Sequence, residues 1–125
     1  MDKLTHYRQL IRSLLSEYAG FKPKYGQIDT ELIIDPAENH FQVVRLGWLN
    51  KHRIHGASLH LDIIGDKIWI QHDGTDRPIA DELVEAGVPK EDIVLAFQPE
   101  DVRAHTGFAV RWTQRTWPLF ILQHV

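Results

Sequence analysis

The chain has 125 residues, is 43% hydrophobic and 25% charged, carries a formal net charge of -3 and contains no cysteine. That length suits one domain that buries roughly two thirds of the surface its unfolded form exposes, rather than two. The absence of cysteine excludes a disulfide framework and thiolate metal sites, and 14 Lys and Arg against 17 Asp and Glu lacks the basic excess of autonomous nucleic-acid binders.

Met1-Asp2-Lys3 leads into a charged segment rather than an apolar signal region, and no run approaches the ~20 apolar residues of a membrane span. A soluble, cytoplasmic protein is expected. From Asp2 to Tyr18 the residues Leu4, Tyr7, Ile11, Leu14, Leu15 and Tyr18 recur at three and four, which predicts an amphipathic helix that buries this stripe. Asp2 is placed to cap it and Gly20 to stop it, and Phe21-Lys22-Pro23 breaks regular structure.

Gln27 to Asp35 alternates as a first strand, with Asp35 to Asn39 as its turn, and Phe41 to Leu49 reads as a second. The stretch Ile54 to His72 organises the remainder. Leu59, Leu61 and Ile63 alternate with Ser58, His60 and Asp62, Lys67 to His72 alternates again, and Gly65-Asp66 between them suits a two-residue type II′ turn. That turn sets Ile63 opposite Ile68 and Leu61 opposite Ile70, so the aliphatic pairs share a face.

A two-residue link at Asn50-Lys51 sets Val44 opposite Ala57 and Leu46 opposite His55. This register puts Val44, Leu46 and Trp48 on the buried side with Leu59, Leu61, Ile63, Ile68 and Ile70, and a loop one residue longer would invert the second strand. The other face then carries Phe41, Val43, Arg45, His60, Asp62, Ile64, Lys67, Trp69 and Gln71. Aromatic, aliphatic and charged residues mixed in this way suit an interaction surface, because interface cores favour aromatics and Arg; equally, a helix of the same chain could cover that face.

Arg77 to Ala86 reads as a helix stopped by Gly87, Pro89 to Asp92 as a single helical turn, Ile93 to Phe97 as a short strand and Pro99 to Arg103 as a short helix. The expected architecture is a single α+β domain: an antiparallel β-meander with an N-terminal helix and C-terminal helical segments packed on one face. After Val110, Trp112, Trp117, Leu119, Phe120, Ile121 and Leu122 crowd a terminal extension that either packs back on the chain or meets another subunit.

Catalysis finds no strong candidate. The eight histidines do not converge by strand spacing, Asp62 and Asp66 with Lys67 lack the arrangement of a metal-dependent nuclease, and no phosphate loop or nucleophile elbow occurs. No catalytic, cofactor or metal residue is assigned. His60 with Asp62 is the one pair that shares a face and could act as an acid-base or metal pair.

Met1-Asp2-Lys3-Leu4, His6-Tyr7-Arg8, Gly47-Trp48, His55-Gly56, His60-Leu61-Asp62-Ile63 and Lys67-Ile68-Trp69-Ile70-Gln71 closely resemble, in register, the XisI-type fdxN element excision controlling factors of cyanobacteria. Asp73-Gly74-Thr75, the run Ile79 to Gly87, Pro89 to Phe97, Val102-Arg103 and Phe108-Ala109-Val110 continue the match. The resemblance spans about residues 1–110 as one domain, and Arg111 to Val125 departs from it as a divergent extension. It implies a small α+β protein without established catalytic residues, acting with a XisH-like partner that is itself similar to restriction-endonuclease-fold proteins. The process implied is excision of a DNA element by a site-specific recombinase during heterocyst differentiation. The leading expectation is therefore a non-enzymatic controlling factor without cofactor, able to form homo-oligomers. A DNA-binding regulator in direct DNA contact, and a metal-dependent nuclease subunit using His60 and Asp62, are the alternatives.

Overall fold

A computed structural model describes residues 2–20 and 26–111. The Phe21-Lys22-Pro23 break and the apolar run from Trp112 onward lie outside the described residues. Chain order is helix α1 (Lys3–Gly20), strands β1 (Gln27–Ile34), β2 (His40–Leu49), β3 (His52–Ile64) and β4 (Lys67–Asp73), helix α2 (Ile79–Glu85), a single 3₁₀ turn (Lys90–Asp92), β5 (Ile93–Leu95) and the short helix α3 (Glu100–Arg103). The α+β class expected from the sequence stands. The strands form one sheet in the order β1-β2-β3-β4-β5; β1 to β4 pair antiparallel, and β5 joins β4 in parallel after the α2 crossover.

Local chemistry explains the connections. The Asp2 carboxylate accepts the Thr5 amide at 2.8 Å and so caps α1. Between β1 and β2 the Asp35 carboxylate accepts the amides of Asn39 at 2.7 Å, His40 at 2.8 Å and Ala37 at 3.2 Å. Against desolvation, which raises it, the His40, Asn39 and Ala37 amides hold the Asp35 carboxyl below its ordinary value. Gly65 takes φ +63°, the positive angle a first central turn position needs, and Ile63 pairs with Ile68 across the hairpin as its turn chemistry predicts. The Asp73 carboxylate accepts the Ile79 amide at 2.7 Å and starts α2.

One face of the sheet, the inner face, meets α1 through Tyr7, Ile11 and Leu15 and α2 through Ile79 and Leu83. With Leu59, Leu61, Ile63, Ile68, Ile70 and Ile93 these form the main core, each fully or almost fully buried. Burying such side chains stabilises by about 1.5–3 kcal/mol apiece before chain entropy is counted.

The register of β2 corrects the sequence expectation. At the turn the predicted pairs are present, Val44 with Ala57 and Leu46 with His55, but Val43 pairs with Leu59, so Ser58 is an extra residue in β3. This β-bulge shifts the phase by one. Phe41 and Val43, expected on the outer face, sit in the inner core at 0% and 1% exposure, while Val44, Leu46 and Trp48 face outward. A second bulge, at Gln71, follows Leu61–Ile70 and sets His72 rather than Gln71 opposite His60.

The C-terminal helical segments divide between the two faces instead of sharing one. α2 packs in the inner core, while Val94, Ala96 and Ala109 lie with Ile64 against Trp69 on the outer face, Leu95 and Phe108 of the same segment reaching the inner core. Arg103 of α3 fastens this segment: its guanidinium stands 5.7 Å from the Trp69 ring centre and donates to the carbonyls of Gln98 at 2.8 Å, Val110 at 3.0 Å, and Leu95 and Ala96 at 3.1 Å.

Candidate functional site

Of the nine residues expected to form an interaction surface, five are withdrawn from it, Arg45 among them. Phe41 and Val43 belong to the inner core because of the Ser58 bulge. Trp69 is covered by the C-terminal segment. Lys67 is 2% exposed; its ammonium donates to the Glu91 carbonyl at 2.6 Å and stands 3.7 Å from the Asp92 carboxylate. Asp92 in turn accepts the Tyr7 hydroxyl and lies 3.4 Å from Lys3. A buried cation with a carbonyl and a carboxylate as partners is a structural tie between α1, β4 and the 3₁₀ turn.

Three of the remaining four, His60, Asp62 and Gln71, come together on the outer face with His40, which the sequence reading did not single out. His40 pairs directly with Asp62 across β2 and β3. One Asp62 oxygen receives His40 Nδ1 at 2.9 Å and His60 Nε2 at 3.0 Å, and the other receives the Gln71 amide at 3.1 Å. The Asp62 side chain is 10% exposed, His60 30% and His40 62%. In the neutral form each imidazole spends its N–H on the carboxylate, so His40 Nε2 and His60 Nδ1 present lone pairs outward. Ile64 packs against the cluster of Trp69 and Val94. Arg45 falls on the inner side with Val43, moved there by the bulge.

The arrangement holds acceptors rigidly but brings no reacting group to them: among the described residues neither imidazole shares a hydrogen bond with a hydroxyl. Nor is any group of three or more His, Asp and Glu placed to hold a metal ion, again among the described residues. What the outer face does present is a stripe running from this polar cluster across β2 and β1. Trp48 is 50% and Ile33 47% exposed, with Val44 and Leu46 half-buried between them and Asp29 and Glu31 alongside on β1. Arg53 lies 5.6 Å from the Trp48 ring centre and stiffens it. A half-exposed tryptophan amid aliphatics with a satisfied polar border has the make-up of a recognition surface.

His40 and the inversion of β2 were missed for the same reason, the bulge. A signal was present: Ile54 and Gly56 fall on one parity and Leu59, Leu61 and Ile63 on the other, so the alternation of β3 breaks between Gly56 and Leu59.

No helix among the described residues is long and apolar enough to cross a membrane. The model of the family described as XisI protein matches residues 1–110. Among solved structures, a XisI-like protein from Anabaena variabilis is 40% identical, with a TM-score of 0.81 over 87% of this chain and 100% of that one. The fdxN element excision controlling factor XisI from Anabaena variabilis is 36% identical, with a TM-score of 0.75 over 88% of this chain and 100% of that one. A search of curated proteins finds no match.

Proposed function

We infer the function from the premise that the chain belongs to the XisI family: it acts as a non-enzymatic controlling factor in excision of a DNA element, by binding a protein partner of the XisH-like kind through its open sheet face. The name carried by the 36%-identical structure, an excision controlling factor, supports the process. The observation that carries the binding mode is the stripe beside the Asp62 cluster in which Trp48 and Ile33 are about half exposed and Val44 and Leu46 half-buried. Burying a stripe of this kind against a partner gives affinity, and the fixed imidazoles and Gln71 around Asp62 give it a register.

Direct DNA binding draws less support. Arg8 and Arg12 are held by Asn39 and Glu38, Arg77 by Glu82 and Glu85, and Arg103 by backbone carbonyls, which leaves few cations gathered on one surface.

Co-expression with a XisH-like protein tests the reading. The two co-elute at micromolar concentration, and Trp48→Ala or Leu46→Glu weakens the complex about thirtyfold or more while leaving the fold intact. Absence of a complex at those concentrations removes the proposed partner. An undiminished complex with both variants removes the proposed face. A gel shift at two salt concentrations separates the DNA-binding alternative, whose affinity falls steeply with salt.

A further inference from the structure

The inner face holds a cavity that the partner-binding reading leaves unused. It has a volume of about 240 Å³ and lies between the C-terminal end of α1, strands β1 to β3 and the loop after β4, lined by Tyr18, Thr30, Arg45, Ser58, Thr75 and Asp76 among others. A second hollow of about 420 Å³ adjoins it and shares Arg45, Ser58 and Gly74.

Arg45 is the distinctive group on this wall. Among the described residues Arg8, Arg12, Arg53, Arg77 and Arg103 each have a hydrogen-bond or ion-pair partner, whereas the half-buried Arg45 and the exposed Arg111 have none. Thr30, its cross-strand neighbour on β1, also makes no side-chain hydrogen bond among the described residues. On the other flank its partner on β3 is Gly56, which contributes no side chain; a Cβ built there meets nothing within 4 Å. A guanidinium offers five donors in a planar fork matched to phosphate or carboxylate, and those of Arg45 are accessible from the cavity rather than sealed against protein. Asp76, also without a side-chain partner among the described residues, supplies a carboxylate elsewhere on the cavity wall.

We propose that this cavity is a binding site for a small molecule with one oxyanion group, phosphate or carboxylate, seated on Arg45 and Thr30, and a hydroxyl or amine donor directed to Asp76. The volume suits a ligand of a few heavy atoms and is too small for a peptide or a nucleic-acid strand. The Ser58 bulge creates the site: without it Arg45 would face the opposite side of the sheet.

The test is an amide and arginine Nε–Hε NMR titration of the full chain with inorganic phosphate and, separately, acetate, at constant ionic strength. The expected result is saturable shifts at Arg45, Gly56, Ser58 and Gly74 with one of the two probes, and the tighter probe identifies the anionic group. Arg45→Gln weakens that binding about tenfold or more. Gly56→Leu fills the space beside Arg45 and abolishes it; because the space is open, this variant tests the site even if Arg45→Gln fails to fold. Non-saturating shifts with both probes, shifts spread evenly over Arg8, Arg12 and Arg53, or unchanged affinity in Gly56→Leu would overturn the proposal. None of these outcomes bears on the outer face, so they leave partner binding to be judged by co-elution.

Discussion

Tyr7, Asp92 and Lys67 form a buried polar group with Lys3 at its exposed edge. Burial first, and then the hydrogen bond to Asp92, push the Tyr7 phenol well above its ordinary pKa. An acid whose folded pKa is raised contributes stability that is complete below the unfolded value, about 10 for tyrosine, and is lost as pH climbs above it. Tyr7→Phe should therefore cost about 1–3 kcal/mol near neutral pH, by removing a donor from a buried carboxylate, yet flatten the loss of stability above about pH 10. Urea denaturation at pH 7 and at alkaline pH checks both parts, and a steeper alkaline loss in the variant would contradict them. The sequence showed Tyr7 as core from its helical spacing. It could not show Lys67 as buried, because its partners Glu91 and Asp92 arrive from a 3₁₀ turn more than twenty residues later.

Strands and turns were legible where turn chemistry dictated them. Gly65-Asp66 and Asn50-Lys51 gave the pairings next to each turn as observed. Beyond Val44 the pairing was not legible, since a bulge changes which side chains face inward without changing composition. Three of the nine candidate surface residues, Phe41, Val43 and Arg45, were assigned to the wrong face on that account. Gly47 makes a more local demand on β2. It has φ +150°, and a Cβ at that position would stand 2.0 Å from the Gln27 carbonyl oxygen and 2.8 Å from Ile28 Cα, both backbone atoms of β1. Gly47→Ala is expected to lose about 2 kcal/mol or more by prising β1 from β2. A lowered melting temperature together with faster amide exchange at the start of β1 is the signature; exchange unchanged there would mean the strands accommodate the methyl.

Among the described residues the sheet is backed on one side by α1 and α2 and on the other where Val94, Ala96 and Ala109 cross Trp69. The family resemblance anticipated the fold but not this division, which depends on Arg103 gathering four carbonyls at once. Arg103→Met keeps the bulk over Trp69 and removes the donors. It should release the segment locally, raising amide exchange from Ala96 to Val110 at least tenfold while β1 to β3 stay protected. Uniformly faster exchange would instead indicate that the segment and the sheet unfold as one unit.

Strand order along the sheet repeats strand order along the chain. Each new strand therefore docks beside the one just made, and no long loop must close before pairing begins. Refolding should be rapid for a protein with this much sheet, on the order of milliseconds in stopped-flow dilution from denaturant. The parallel addition of β5, which waits on the α2 crossover, is the natural last step.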